Sequence, residues 1–327
     1  VSLRSQRRLM AAKWKQILIA LLCCGPMMGY GKAISGVSLS FQGLNSQNGF
    51  IIPIRIVDGL IIIQATVNDQ TGNLILDTGA KTLVLNESYF HTYQKTNNPA
   101  AGLGGEIESV GYLPKVNLET DLLKISNLQA DVIPMSVIET KKQITVLGLL
   151  GYEVLKSFEI MLNYRESYIT LSRVDEKGEV IDALPHTRHK VDSMAFELGN
   201  FIPVLNVKIN GIPKRMGLDT GAEVNLLDIK KNKDILDNYQ ITNKIKINGT
   251  DNRNFEALAG RLYRVQLFGK YTCGGMATVL TNLDNFEAIY NTRLDGIVGY
   301  EMLSPWIFSI NYRKKMLYLH HFKSEKP

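Results

Sequence analysis

Short runs of β-branched and aromatic residues recur along most of the chain, each bounded by Gly, Asn or Pro. On that ground Ile51–Ile56, Leu60–Val67, Asn73–Leu76, Tyr168–Leu171, Val204–Ile209, Val265–Phe268 and Lys315–Leu319 read as strands. Short helices are expected only after two glycines, at Tyr152–Lys156 and Tyr300–Leu303. Regularly spaced short strands predict an all-β architecture.

The pattern also repeats, which changes the picture from a series of strands to two units. The segment LILDTGAKTLVLN (Leu74–Asn86) returns as MGLDTGAEVNLLD (Met216–Asp228). Downstream, LLGYEVLKSFEIMLNYRESYITL (Leu149–Leu171) returns as IVGYEMLSPWIFSINYRKKMLYL (Ile297–Leu319). A looser match joins Gly102–Glu106 to Asn248–Asn252, and Ile52-Pro53-Ile54 aligns with Ile202-Pro203-Val204. Four matches in one order predict two homologous lobes. The polar, charge-mixed stretch Ser172–Gly199 breaks the hydrophobic pattern and reads as the connection, with the boundary near residue 185. The expected division is a leader at 1–33, an N-terminal extension at 34–46, a first lobe at 47–174, a linker at 175–195, a second lobe at 196–322 and a tail at 323–327.

Charge matters mainly at the start of the chain. The 327 residues carry a formal net charge of +6. Residues 1–33 contain Arg4, Arg7, Arg8, Lys13, Lys15 and Lys32 and no acid, so the remainder is balanced. The basic excess therefore reports the leader and gives no ground for a nucleic-acid partner. Basic residues followed by the apolar run Ile17–Cys24, the break at Gly25-Pro26 and small residues at Gly31 and Ala33 read as a secretory signal. The run is too short to span a bilayer comfortably. The expectation is an exported protein, periplasmic or extracellular, whose membrane contact is limited to an uncleaved leader if that leader stays as an anchor. A lipid on Cys23 or Cys24 fits less well, because bulky residues precede both. Only Cys273 remains outside the leader, so no internal disulfide is expected, and a lone cysteine reads as a packed side chain.

The repeated tetrad Asp-Thr-Gly-Ala, Asp77–Ala80 and Asp219–Ala222, carries the chemistry. An apolar strand running into it puts a carboxylate on a tight turn, and Gly79 and Gly221 allow another chain to approach closely. One such turn is an ordinary turn. Two, in matching places of a duplicated chain, would meet face to face if the repeats pack about a pseudo-twofold axis. Two carboxylates in contact share one proton and titrate as a unit. One can then take a proton from water while the other donates to a carbonyl oxygen, with neither metal nor cofactor required.

The two tetrads, with Leu149-Leu150-Gly151 and Ile297-Val298-Gly299, resemble the retropepsin and pepsin superfamily of aspartic peptidases. In particular, they resemble bacterial exported members with two retropepsin-like lobes in a single chain. The resemblance implies a bilobed acid-protease fold, two β-barrel-like lobes related by a pseudo-twofold axis, with Asp77 and Asp219 catalytic. It implies that Gly151 and Gly299 pass under the catalytic turns, that Thr78 and Thr220 exchange hydrogen bonds with the opposite loop, and that Gly79 and Gly221 offer N–H groups to the carboxylates. Ala80 and Ala222 stand where pepsins often place a hydroxyl that lowers the aspartate pKa, so activity nearer neutral pH is expected than for a digestive pepsin. The family also closes a hairpin flap over its substrate. Gly102, Gly104 and Gly105 fall at the corresponding place, with Tyr112 as an alternative flap residue and Asn248-Gly249 as the second-lobe equivalent; a plain mobile loop and one flap or two remain open readings. The partner implied is a peptide or protein substrate, cleaved by a monomer with an intramolecular dyad. A dyad formed between two molecules, or a non-catalytic relative that binds peptides or a protein, is the alternative.

The remaining motifs read as structural. His91, His186, His189, His320 and His321 show no metal-ligand spacing, and the linker and terminal pairs are expected to face solvent. No phosphate loop, dinucleotide fingerprint or nucleophile elbow is present. Tyr152-Glu153 and Tyr300-Glu301 read as helix-start packing and capping, and Tyr164-Arg165 and Tyr312-Arg313 as strand ends.

Overall fold

The computed structural model describes residues 38–41, 50–96, 100–102, 105–107, 110–121, 123–181, 189–248 and 254–320. The leader, the tail, and Gly104, Gly249, His186 and His321 lie outside the described residues.

Among those residues the chain is all-β apart from a few short helices, and its strands form two lobe sheets, one sheet between them and a separate two-stranded ribbon. The first lobe holds a nine-stranded sheet and the second a ten-stranded sheet. Both repeat one arrangement around the tetrad. In the first lobe, Gly148–Leu150 lies parallel to Gln70–Leu76 and antiparallel to Leu83–Asn86, which runs parallel to Leu123–Ile133. In the second, Gly296–Val298 stands in the same way to Ile212–Leu218 and Asn225–Asp228, and the latter runs parallel to Met276–Thr281. Each tetrad therefore leaves a strand that is covered on one side by the later Gly-containing strand.

The third sheet has six strands and is shared. Phe50–Pro53, Phe158–Asn163 and Tyr168–Arg173 come from before the connection; Lys190–Ala195, Ile307–Asn311 and Met316–His320 come from after it. Its central pair is antiparallel and sets Met161 opposite Ser309. These residues hold equivalent places in the two repeats, so a local twofold axis passes between them.

Local chemistry explains the tight connections. Asp58-Gly59 joins Val57 to Leu60 with φ of 51° and 93°, and Asn210-Gly211 joins Ile209 to Ile212 with φ of 52° and 78°. Two-residue hairpins of this kind need positive φ at both positions, which Asp-Gly and Asn-Gly supply at least cost. The strands between them are buried along nearly their whole length: in Leu60–Val67 only Gln64 is exposed. Burial of Leu, Ile and Val on both faces supplies the driving force for folding.

Several elements depart from the sequence expectation. Ile51–Ile56 is not one strand: it breaks at Ile54, so that Phe50–Pro53 joins the shared sheet and Arg55–Val57 joins the first lobe. Lys190–Ala195, expected as linker, pairs with Met316–His320 at the edge of the shared sheet. Among the described residues there are four α-helices, α1 (Ser136–Lys142), α2 (Tyr152–Leu155), α3 (Asp284–Tyr290) and α4 (Tyr300–Leu303), and one 3-10 helix at Lys233–Asn238. The expectation included α2 and α4 and missed α1 and α3. The latter two occupy equivalent places, each followed by a left-handed residue, Gln143 at φ 52° and Asn291 at φ 46°. Seven residues are too few to show a helical period clearly.

The lobes meet through aromatic exchange as well as through the shared sheet. Tyr152 packs edge-on against Tyr312 at 5.1 Å, and Tyr164 against Tyr300 at 5.5 Å, so each lobe's α2- or α4-start tyrosine contacts the other lobe's strand-end tyrosine. Such edge-to-face pairs add to the area they bury.

Candidate active site

The two tetrads are fully buried and meet at the lobe interface. Asp77 N donates to Leu150 O at 3.0 Å and Ala80 N closes back on Asp77 O at 3.3 Å; Asp219 N to Val298 O and Ala222 N to Asp219 O repeat the pattern at 3.0 and 3.3 Å. The backbone turn aims a glycine N–H at each carboxylate: Gly79 N to Asp77 Oδ1 and Gly221 N to Asp219 Oδ1, both 2.8 Å. The carboxylates face each other across the interface. A Cβ on Gly79 would lie 2.6 Å from Asp219 Cγ, and one on Gly221 2.6 Å from Asp77 Cγ. No side chain fits at either glycine while the opposite carboxylate stays in place.

The threonines bind the loops to one another. Thr78 Oγ1 donates to Leu218 O at 2.9 Å and accepts from Thr220 N at 3.0 Å. Thr220 Oγ1 donates to Leu76 O at 2.8 Å and accepts from Thr78 N at 3.0 Å. These four buried bonds cross the axis and leave neither hydroxyl nor either amide unsatisfied. Beneath each loop runs the later glycine of its own lobe. A Cβ on Gly151 would lie 2.7 Å from Ala80 O, and one on Gly299 2.5 Å from Ala222 O. The next residues seal that contact, with Tyr152 N to Ala80 O at 2.9 Å and Tyr300 N to Ala222 O at 2.8 Å.

Burial sets the electrostatics. It raises Asp77 well above the usual carboxylate range, and the neighbouring Asp219 charge and the hydrogen bond to Asp219 raise it further against the pull of the Gly79 and Ala80 amides. Burial also raises Asp219, to about 6, opposed by the hydrogen bond from Asp77 and by the Gly221 and Gly79 amides. Burial thus raises both carboxyls, and they titrate as one coupled pair that shares a proton. Ala80 and Ala222 are both buried and bring no hydroxyl to lower either group. Asp219 Oδ2 takes no hydrogen bond from any other group among the described residues.

The glycine stretch forms a hairpin. Ala100–Gly102 pairs antiparallel with Gly105–Ile107, and Gly102 faces Gly105. This hairpin lies beside α3 of the second lobe. Tyr112 stands away from its tip, in the strand Val110–Glu119 opposite Asp131 and Gln94. In the second lobe Asn248 pairs with Asn254 at the end of a longer hairpin.

Three residues at the loops gave no signal in the sequence. Tyr290, the last residue of α3, donates its hydroxyl to Gly79 O at 3.2 Å. Lys142, the last residue of α1, sets its Nζ 2.7 Å from Oε1 of Glu223, the residue after the second tetrad. Each partner sits in the other lobe. The clue available was that Lys81 and Glu223, at equivalent places, carry opposite charges.

Other expectations are corrected. His320 is buried, not solvent-facing, with Nε2 2.9 Å from Ser309 Oγ, which lies 3.2 Å from Glu159 Oε1. It shares the strand face of Met316 and Tyr318, the face on which Ser309 lies, and not that of Leu317 and Leu319. Ser309 lies between the other two and is fully buried, so the trio is a structural network and not a nucleophile with its base. His91 and His189 are exposed. Glu153 and Glu301 do not cap their helices; Glu153 pairs with Lys156 and Glu301 accepts from Ala277 N at 3.3 Å. Cys273 is half-buried against the core, and burial raises its thiol pKa, so it is a poor nucleophile.

No curated protein matches the chain. Residues 63–154, about a quarter of the sequence, match the family model described as aspartyl protease; the match includes Asp77–Ala80 and Gly151 and supports a protease relationship, and with it a peptide substrate, for the lobe that contains them.

Proposed function

We propose that this chain is an exported aspartic endopeptidase whose water is activated by an intramolecular Asp77/Asp219 dyad. One observation carries the reading: two buried carboxyls face each other at the lobe interface, each held by its own glycine N–H and each on a loop tied to the other by threonine bonds. The leader pattern in residues 1–33 supports export.

The chemistry follows from one proton shared by the pair. Ionised Asp219 accepts a proton from the attacking water as it adds to the scissile carbonyl carbon. Asp77 gives its proton to the carbonyl oxygen, which becomes a hydroxyl of the tetrahedral intermediate. Collapse re-forms the carbonyl, returns that proton to Asp77, and passes the proton held by Asp219 to the leaving nitrogen. The pair ends as it began. Because both carboxyls are raised by burial, the singly protonated state persists nearer to neutral pH than in a pair stabilised by extra hydroxyls.

The test is cleavage of a mixed peptide library from pH 3 to 8 by the protein and by Asp77→Asn and Asp219→Asn. Cleavage by the parent alone is expected. Equal cleavage by either variant sinks the dyad, since an amide cannot share the proton.

A further inference from the structure

We infer that Lys142 and Tyr290 are positioning residues that brace the opposite lobe's tetrad loop, and that the Lys142–Glu223 arm makes the second loop's rigidity depend on pH. The inference rests on the dyad reading for its bearing on catalysis, but its geometry stands apart from it.

The two residues occupy one structural position. Each ends a seven-residue helix, each precedes a left-handed residue, and each reaches across the interface. Tyr290 is fully buried, stacked on Phe286 and edge-on to Phe201, so its ring has one place to be. Its hydroxyl meets the carbonyl of Gly79, the residue whose N–H holds Asp77. Lys142 has a side chain only 1% exposed, and Glu223 one only 6% exposed. Glu223 adjoins Ala222, whose carbonyl receives Tyr300 N and whose amide closes the Asp219 turn. Pulling Glu223 toward α1 therefore fixes the trailing end of the loop that carries Asp219.

The arms differ in what can switch them. The Tyr290 arm is an uncharged phenol on a backbone carbonyl, and the Lys142 arm is an ion pair that depends on the charge of Glu223. The groups facing Glu223 are Lys142 and Lys141 of α1 and Asp58 of the Asp58-Gly59 turn; Asp58 also lies 3.1 Å from Lys142 Nζ and is largely exposed. When Glu223 takes a proton, Lys142 keeps a charged partner only in Asp58, on its own lobe. The pull across the interface then falls from that of an ion pair to that of an ammonium on a neutral carboxyl. Burial raises Glu223 to about 7 despite Lys142, so the change falls within the working range of the dyad.

The experiment is amide hydrogen exchange at the two loops, with peptide-cleavage kinetics beside it, for the parent, Glu223→Gln and Tyr290→Phe. Both variants keep side-chain volume. In Glu223→Gln, exchange at Gly221 and Ala222 should rise about tenfold over the parent at pH 8 and match it at pH 5, with kcat falling in the same pattern and KM unchanged. In Tyr290→Phe, Gly79 and Ala80 should exchange faster at both pH values. A pH-independent Glu223→Gln effect, or lower melting temperature with unchanged loop exchange, overturns the inference. The expected exchange pattern in a parent that cleaves no peptide sustains the braces and removes the protease reading instead.

Discussion

The two lobes hold the same tetrad in the same way and then part company at the next residue. In the first lobe Lys81 follows, partly exposed, and Thr82 donates to the buried Asp131 Oδ2 at 2.5 Å. In the second Glu223 follows, buried against a lysine from the other lobe, and Val224 takes the place of Thr82. The shared part consists of groups whose partners are backbone or the same residue type across the axis. The differing part consists of side chains such as Glu223 and Lys142, whose partners lie on the other lobe. Symmetry is kept where geometry must be equal for both carboxyls to meet, and given up in the residues that support the loops from behind.

The most severe test of equality is removal of one carboxyl at a time. Asp77→Asn and Asp219→Asn should each lower kcat by more than about 10³-fold, measured on one peptide at its optimal pH, because each acts in both proton transfers. A large difference between the two would break the symmetric picture.

Next in size is the pH dependence of stability. Asp77, Asp219 and Glu223 all have folded pKa values above their unfolded ones. The folded state therefore holds more protons than the unfolded one between about pH 4 and 7, and stability falls as pH rises through that window. Asp219 alone, raised to about 6, contributes a change on the order of 3 kcal/mol. Urea unfolding at pH 4.5 and 7.5 should show the parent more stable in acid and the difference reduced in Asp219→Asn. A parent that gains stability from pH 4.5 to 7.5 contradicts this.

Thr78→Val and Thr220→Val should each cost about 2–3 kcal/mol, because each strands a buried carbonyl and a buried amide. Thermal melts of the two should agree closely, since the bonds are mirror images. Smallest is Lys81→Gln, which should change stability by less than about 1 kcal/mol, as expected for a partly exposed charge. An effect as large as that of Glu223→Gln would erase the contrast on which the lobe comparison rests.

What could be read from the sequence followed the same division. The tetrads, the glycines at 151 and 299 and the short strands depend on backbone geometry that a few residue types permit, so they leave a local mark. The repeat makes the meeting of Asp77 and Asp219 an expectation from the sequence alone. Lys142, Glu223 and Tyr290 escaped notice because their roles come from partners far along the chain: a lysine at a helix end reads as a solvated charge until the other lobe covers it. His320 escaped for a related reason, since a His-His pair near a terminus gives no hint that one ring turns into a sheet. The edge strand Lys190–Ala195 reads as linker because Lys190, Asp192 and Ser193 interrupt its apolar residues, and its pairing with Met316–His320 makes it a strand.

The pairing of Met161 with Ser309 has a wider meaning. Equivalent residues facing each other across a twofold axis are the mark of an isologous contact, the kind made by two identical subunits. The molecule is arranged as a dimer whose two protomers occupy one polypeptide. In a dimer of identical chains, any residue placed beside one tetrad appears beside both, and a lysine reaching for one Glu would be matched by a second lysine reaching for its twin. Covalent continuity lifts that constraint. It lets Lys81 and Glu223 occupy equivalent places with opposite signs, and so gives each half of a symmetric site its own identity.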